Sequence, residues 1–266
     1  MMPFADIAGG QLYYESHGEG FPLIFSTGMG GVGAYWAPQI AEFAKHYRVI
    51  VYDHRGTGRS TKSVMKYSVE LLAQDLIDLM DSLGIAEADA VGHSTGGMLM
   101  QAALVDHPKR FRRAVFYGTR GNADHFTKLA MGMRLALLRS DGVAAYRRST
   151  PIFLYPSDWI RNNASLLEAA DRALVESDFN AEIMASRIEA VLNHDQLGRV
   201  HRIASESLVI CAQDDFLTPP YYSRELAALI PGAKLVFIGY GGHACSQTNP
   251  SEFNSAVLSF LTAGHE

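Results

Sequence analysis

A serine between two glycines, in the segment GHSTG (92–96), constrains the possible folds more than any other part of the sequence. It overlaps the end of the short apolar run DAVGHS (89–94) and opens a helical pattern over 96–107. Glycine is needed on both sides where a strand turns sharply into a helix, because a side chain there would collide with its surroundings. The pattern therefore predicts a strand, a tight turn and a helix, with the Ser94 hydroxyl held in the open near the helix N-terminus.

Short apolar segments alternate with longer helical patterns on both sides of this turn. The predicted strands are 4–8, 11–15, 22–27, 48–53, 89–94, 112–118, 207–213 and 234–239. The first two flank Gly9-Gly10 and are predicted to form a hairpin. Alternation of this kind is typical of a parallel sheet covered by helices. We therefore predict an α/β fold in which a mostly parallel, eight-stranded sheet carries helices on both faces.

The stretch from about Arg120 to Arg202 differs from the rest of the chain. It is rich in Ala, Leu, Met and Arg and contains no clear strand pattern. We interpret it as a helical cap inserted after the sixth strand. The predicted division is an α/β core over 1–119 and 203–266 and a helical cap, or lid, over 120–202. A cap of this kind excludes water from a site beneath it and shapes the pocket.

Composition excludes several classes of protein. The chain has 266 residues, 48% of them apolar, and its net charge of −5 without a dense Lys/Arg cluster argues against nucleic-acid binding. Two cysteines cannot build a disulfide framework or a cysteine zinc site, and we predict no metal or organic cofactor. The N-terminal residues lack a secretory pattern and no apolar run is long enough to span a membrane, so we expect a cytoplasmic location. Monomer and homodimer both stay open.

A serine hydroxyl is a weak nucleophile that needs a base, and the base needs an acid to orient it. In this architecture the three follow in the order Ser, Asp or Glu, His. His243 comes directly after the last predicted strand, where a loop can carry its imidazole over the sheet. Asp214 and Asp215 end the preceding strand, and the spacing to the following proline favours Asp215. The predicted triad is Ser94, Asp215 and His243, with Asp214 and Asp124 as open alternatives for the acid.

The glycine-rich loop STGMG (26–30) follows the third predicted strand. An acyl-transfer site needs backbone N–H groups that stabilise the oxyanion of the tetrahedral intermediate. One normally belongs to the residue after the nucleophile, here Thr95, and the other to the loop after the third strand, here Met29. We therefore predict that the N–H groups of Met29 and Thr95 form the oxyanion hole.

The same loop also fits a dinucleotide-binding pattern. GMGGVG (28–33) follows a strand, and Asp53 ends the next strand, where a ribose-binding acid would stand. Two observations disfavour this interpretation. A strand pair precedes the loop, so it does not belong to the first βαβ unit, and a nucleotide site would leave the predicted triad unexplained.

Together these segments resemble the α/β-hydrolase superfamily over essentially the whole chain. The resemblance is carried by GHSTGG (92–97), the loop over 26–30, YDHRGTGRS (52–60), DDFLTPP (214–220) and GYGGHAC (239–245). Within the superfamily the chain is similar to 3-oxoadipate enol-lactonases and, through PIFLYPSDW (151–159) and GGHAC (241–245), to aminoacrylate hydrolases. Haloalkane dehalogenases and epoxide hydrolases resemble this fold but carry an aspartate where this chain has Ser94.

The resemblance implies a serine hydrolase that cleaves a small carboxylic ester or lactone through an acyl-enzyme. It leaves open an amide, carbamate or enamine-type hydrolase of nitrogen or pyrimidine catabolism and, with less support, a carbon–carbon hydrolase. A ligand-binding protein on a hydrolase fold is the alternative outside enzymes, although the presence of all three triad residues disfavours it. The expected partner is a small ester, lactone or amide, with no nucleic acid and no membrane.

Side chains of the cap and of neighbouring loops are candidates for the substrate pocket. Aromatic rings there can line an apolar pocket, and either of two arginines can bind a substrate carboxylate through two hydrogen bonds. The candidates are Trp36, Arg120, Tyr155, Trp159, Arg161 and His194.

Overall fold

A computed structural model describes residues 3–175 and 179–263. Its sheet consists of β1 (Phe4–Ile7), β2 (Gly10–His17), β3 (Pro22–Ser26), β4 (Arg48–Tyr52), β5 (Ala88–His93), β6 (Phe111–Tyr117), β7 (Glu206–Ala212) and β8 (Lys234–Ile238). The strand order is β1-β2-β4-β3-β5-β6-β7-β8. β2 pairs antiparallel with β1 and β4, and the other neighbours pair in parallel. The predicted α/β fold with a mostly parallel, eight-stranded sheet is confirmed.

Helices lie on both faces of this sheet and in the segment between β6 and β7. They are α1 (Ala37–Phe43), α2 (Val69–Ser82), α3 (Thr95–Asp106), α4 (His125–Ser140), α5 (Gly142–Leu154), α6 (Ser157–Asn162), α7 (Ala164–Val175), α8 (Ala181–Leu192), α9 (Pro220–Leu229), α10 (Cys245–Thr248) and α11 (Pro250–Thr262). Successive residues of a strand face opposite sides, as β3 illustrates. Phe25 packs against Phe43 of α1, whereas Ile24 belongs to the core shared with Leu76 of α2 and Leu99 of α3.

Helix α3 is enclosed by the rest of the molecule. Every residue from Thr95 to Val105 is buried, so the helix is apolar almost all round rather than on one face. Its N-terminus therefore has a fixed position at the carboxyl end of the sheet, where functional sites of parallel sheets form.

Five of the helices, α4 to α8, lie between β6 and β7 in the chain. An isolated bridge between Asn122 and Asp195 joins the two ends of this segment, so the helices leave and rejoin the sheet at nearly one point. Its division from the core at 119/120 and 202/203 stays a prediction. In the part of the chain that the structure describes, none of the helices combines the length and the apolar character that a membrane span requires.

Two separate helices lie between the glycine-rich loop and β4. A short 3-10 helix (Gly33–Trp36) is followed by the separate helix α1. Pro38 lies in the first turn of α1, where its fixed φ and missing N–H start a helix rather than continue one.

Candidate active site

Ser94 occupies the sharp turn between β5 and α3. Its backbone has φ 54° and ψ −115°, and it is the only residue other than glycine with a positive φ among the described residues. Such a conformation persists only where the surrounding structure compensates its strain. Here the Ser94 N–H donates to the Tyr117 carbonyl at 2.9 Å, and Thr119 Oγ1 donates to the Ser94 carbonyl at 2.8 Å. The end of β6 and the segment after it therefore hold the turn in place.

Close packing requires the glycines on either side of Ser94. A Cβ atom on Gly96 would lie 2.2 Å from the Ser26 carbonyl oxygen, and one on Gly92 would lie 2.5 Å from Met100 Sδ. The first of these contacts is with backbone, which cannot move aside. The spacing of glycines in the sequence thus has a steric origin in the approach of α3 to the end of β3.

His243 and Asp215 form a buried, hydrogen-bonded pair. His243 Nδ1 lies 2.9 Å from Asp215 Oδ2, and both side chains are almost completely shielded from solvent. Thr218 holds the carboxylate: its N–H donates to Asp215 Oδ1 at 2.8 Å and its hydroxyl to Oδ2 at 2.7 Å. A carboxylate that accepts the Nδ1–H leaves Nε2 as the ring nitrogen that can exchange a proton with a substrate.

The two alternative acids are engaged elsewhere. Asp214 is exposed, and its Oδ1 accepts two backbone N–H groups of the loop before His243, each at 2.9 Å. Asp124 caps α4 by accepting a backbone N–H of its first turn at 2.9 Å. The structure therefore brings Asp215, rather than either alternative, to His243.

Ser94 and His243 open onto a cavity of about 1000 Å³ between the sheet and helices of the segment between β6 and β7. Met29 and Thr95, the two predicted oxyanion donors, line the same cavity. A cavity of this size accommodates a substrate considerably larger than a bare carbamate or acetyl group.

A buried arginine of α8 holds the loop that contains Met29. Arg187 Nη2 donates to the Met29 carbonyl at 3.0 Å, and Nη1 donates to the Arg55 carbonyl at 3.0 Å. The Gly31 N–H donates to the Gly28 carbonyl at 2.9 Å and closes the turn around Met29. The peptide groups of this loop are therefore fixed by contacts with a helix far away in the sequence.

Sequence reasoning missed Arg187, although the sequence contains a signal for it. Ile183, Arg187 and Val191 recur every four residues and all three are buried. An arginine on the apolar face of a helix is unusual unless its charge and donors have buried partners. That position therefore indicates a structural or functional role for the side chain.

The dinucleotide interpretation of the loop over 28–33 fails at Asp53. This side chain is buried, its Oδ1 accepts the Gly33 N–H at 2.8 Å, and its Oδ2 accepts the Arg59 N–H at 2.8 Å. A ribose-binding acid must face its ligand, whereas both oxygens of Asp53 hold the protein's own backbone. The segment over 52–60 is therefore a structural turn.

Of the three aromatic residues predicted to line the pocket, the structure places one at the cavity and two outside its lining. Tyr155 lines the cavity. Trp36, by contrast, is fully buried in the core, because it packs between Phe25 of β3, 4.7 Å away between ring centroids, and Phe253 of α11, 6.3 Å away. Trp159 stacks on Tyr155 with 4.4 Å between ring centroids and supports the cavity wall without lining it.

Of the three polar residues predicted to line the pocket, likewise only one lies at the cavity. Arg120 is buried and lines the cavity, whereas Arg161 is exposed on α6 and does not. Ile160 lines the cavity, and successive residues of a helix point about 100° apart, so Arg161 faces away from it. His194 is buried close to Arg120 but lies outside the cavity lining.

Three buried histidines near the site are neutral. Burial lowers the pKa of His54 and of His93 well below the usual range. Burial, together with the charge of Arg120, lowers the pKa of His194 to about 3. His93 Nε2–H donates to the His243 carbonyl at 2.9 Å, so this neutral ring helps to position the loop that carries His243.

Because these histidines stay neutral in the folded state, we expect the protein to be less stable in mild acid. In the unfolded chain each is protonated below its ordinary pKa of about 6.5, whereas the folded protein keeps it neutral, so the unfolded state binds more protons. The free energy of unfolding should therefore fall by about 2 kcal/mol for each histidine between pH 7 and pH 5. Denaturant unfolding at pH 7 and pH 5 measures this fall. In the His194→Gln variant the free energy of unfolding should fall by about 2 kcal/mol less than in the native protein. Equal losses in the two proteins would contradict this prediction.

Comparison with known proteins identifies the family. The sequence profile of the alpha/beta hydrolase fold matches residues 22–146. A protein of Azorhizobium caulinodans that carries the name "Putative carbamate hydrolase RutD" is 36% identical, over 97% of this chain and 98% of its own length. A protein of the same name from Caulobacter sp. strain K31 is 38% identical, over 94% and 96% of the two chains. The chain belongs to the α/β-hydrolase superfamily.

This α/β-hydrolase also matches solved structures over nearly its full length. The crystal structure of the enol-lactonase from Burkholderia xenovorans LB400 superposes with a TM-score of 0.90 at 30% sequence identity, covering 98% of this chain and 100% of that one. The resemblance predicted from the sequence motifs is confirmed, and the chain is a hydrolase.

Proposed function

We propose that this hydrolase cleaves a carbamate, with Ser94 as nucleophile, His243 as general base and acid, and Asp215 as the group that orients the imidazole. The observation that carries the proposal is the His243–Asp215 pair at the cavity that Ser94 also lines. The relatives named as carbamate hydrolases, which match almost the whole chain, favour the carbamate alternative over the ester or lactone that the sequence motifs favoured.

In the first half of the reaction Ser94 Oγ forms a bond to the carbonyl carbon while His243 Nε2 takes the hydroxyl proton. The Nδ1–H of His243 donates to Asp215 Oδ2 at 2.9 Å, which holds the tautomer with Nε2 free and stabilises the imidazolium. The bond from the carbonyl carbon to the leaving oxygen then breaks, and His243 passes the proton to that oxygen. A carbamoyl group stays on Ser94.

In the second half a water molecule takes the place of the leaving group. His243 Nε2 takes a proton from the water, and the oxygen adds to the carbamoyl carbon. The bond to Ser94 Oγ then breaks, and His243 returns the proton to that oxygen. The product is a carbamic acid, and Ser94 and His243 regain their initial states.

Both halves pass through a tetrahedral oxyanion. The backbone N–H groups of Met29 and Thr95 are the proposed donors to it, and one such donor is worth about 3 to 4 kcal/mol of transition-state stabilisation. Arg187 holds the Met29 carbonyl, so the loop needs no rearrangement when the charge develops.

An ester or lactone is the second candidate substrate, and the likeness to the enol-lactonase of Burkholderia xenovorans supports it. p-Nitrophenyl N-methylcarbamate and p-nitrophenyl propionate separate the two, because they differ only by NH in place of CH2 beside the carbonyl. The nitrogen lone pair conjugates with the carbonyl of a carbamoyl-enzyme and slows its hydrolysis. An enzyme adapted to esters is therefore trapped after one turnover, whereas we expect this hydrolase to continue.

Release of p-nitrophenolate from the carbamate beyond one equivalent per enzyme supports the proposal. The carbamate proposal would be overturned in favour of the ester alternative by a different result. In that case p-nitrophenolate release from the carbamate stops after one equivalent per enzyme, while hydrolysis of the propionate continues. Labelling by a fluorophosphonate, read by intact-mass spectrometry, tests the nucleophile separately. We expect one adduct on the native protein and none on Ser94→Ala, and an adduct on both would overturn the role of Ser94.

A further inference from the structure

The guanidinium of Arg120 is buried at the cavity wall and forms no ion pair within the described residues, although its Cζ lies 6.0 Å from the centre of the Tyr222 ring. The residue is 2% exposed and lines the cavity that Ser94 and His243 also line. Its Nε and Nη2 have no hydrogen-bond partner among the described residues. Burial lowers the pKa of Arg120 to about 10, so the side chain still carries its charge at neutral pH. A buried charge with unpaired donors is costly, which indicates that a ligand supplies the partner.

Two other buried side chains beside Arg120 also have unpaired polar atoms. Gln101 Nε2 donates to the Arg120 carbonyl at 3.1 Å, but Gln101 Oε1 has no partner among the described residues. His194 is 3% exposed, and within the described ranges both of its ring nitrogens are unpaired. A neutral imidazole offers one N–H donor. The unpaired donors here are therefore those of Arg120 and the one N–H of His194, whereas the unpaired Gln101 Oε1 is an acceptor.

The two unpaired nitrogens of Arg120 form one edge of the guanidinium. Elsewhere in the molecule the same edge binds carboxylates. Nε and Nη2 of Arg55 contact both oxygens of Asp75, and those of Arg112 contact both oxygens of Asp89 at 3.0 and 2.6 Å. A carboxylate presents two oxygens at the spacing of this edge. Both Arg120 nitrogens are shielded, so binding requires the guanidinium to turn towards the cavity that the residue already lines.

The charges around the cavity also favour an anion. Among the described residues that line it, five are basic and one is acidic: Lys62, Arg120, Arg134, Arg147, Arg148 and Glu168. Lys62, Arg147 and Arg148 interact with other groups of the protein, whereas Arg120 keeps two unpaired guanidinium nitrogens. Low-dielectric walls strengthen the attraction of such a cleft for a negatively charged ligand.

We propose that Arg120 anchors a carboxylate of the substrate while the scissile carbonyl lies at Ser94. The inference rests on the function proposed above, because it places the carboxylate relative to the nucleophile. It adds a substrate class: the hydrolase acts on molecules that carry a carboxylate as well as the bond that is cleaved.

Two esters of matched shape test this subsite. Mono-p-nitrophenyl succinate and p-nitrophenyl 4-methylpentanoate have the same acyl chain and differ in a terminal carboxylate against an isopropyl group. We expect Arg120→Gln to lower the ratio of their kcat/KM values, succinate over pentanoate, by about 10- to 100-fold, which is the effect of losing a charge-assisted contact. Arg120→Lys, which keeps the charge without the two-nitrogen edge, should recover part of the ratio. The matched control Arg161→Gln, on the exposed arginine of α6, should leave the ratio unchanged.

Succinate binding to the Ser94→Ala protein, measured by calorimetry, gives a readout without catalysis. We expect the further change Arg120→Gln to weaken succinate binding by about the same factor. Equal affinities in the two proteins, or an unchanged substrate ratio in Arg120→Gln, would overturn the subsite and leave the serine mechanism intact. Succinate binding that depends on Arg120, in an enzyme whose hydrolysis does not depend on Ser94, would support the subsite and overturn the proposed function alone.

Discussion

Replacing Ser94 by alanine is expected to lower kcat by about 10⁶-fold on any substrate that the protein hydrolyses. The hydroxyl is the atom that would bond to the carbonyl carbon, and without it His243 and Asp215 have no nucleophile to activate. Steady-state hydrolysis of p-nitrophenyl propionate by the two proteins measures the effect. Ser251→Ala is the matched control, because Ser251 is exposed on α11 and belongs to a different part of the fold.

A loss of activity through unfolding is excluded by comparing two substitutions at the same position. Alanine keeps the strain of φ 54° at this turn, whereas glycine relieves it. We therefore expect Ser94→Gly to be inactive yet more stable than Ser94→Ala by about 1 kcal/mol in denaturant unfolding. Activity of Ser94→Ala within tenfold of the native protein would show that another residue is the nucleophile.

Replacing Asp215 by asparagine is expected to lower kcat by about 10⁴-fold, with little change in the fold. An amide in place of the carboxylate can present an N–H to His243 Nδ1, which favours the ring tautomer that has its proton on Nε2. That tautomer cannot accept the proton of Ser94, and the imidazolium loses its countercharge. The measurement is kcat for the ester together with a thermal unfolding curve.

The neighbouring substitution Asp214→Asn is the matched control for that experiment. Asp214 Oδ1 accepts the backbone N–H groups of Gly241 and Gly242, and an asparagine keeps this acceptor oxygen. We expect a loss of kcat below tenfold, since the loop before His243 stays anchored. A large loss in Asp214→Asn together with a small one in Asp215→Asn would reverse the assignment of the acid.

The sequence alone predicted those features of the fold that depend on residues close together in the chain. The glycines at 92 and 96 predicted the turn at Ser94 because a side chain at either place collides with atoms the fold must bring there. The alternation of apolar runs predicted the parallel sheet, because strands buried on both faces need continuous apolar residues. The glycine pattern over 28–33 fitted two kinds of site, and Asp53 separates them through its contacts with backbone N–H groups.

The sequence by itself thus determined the fold class, the turn at Ser94 and the position of His243 after the last strand. Only the tertiary structure brought Asp215 rather than Asp214 to the imidazole, buried Trp36 in the core, and placed Arg120 at the cavity wall and Arg161 outside it. It also revealed the contact of Arg187 with the Met29 carbonyl. Backbone turns follow from neighbours in the chain, but the direction of a side chain follows from how helices rotate and pack against residues distant in sequence.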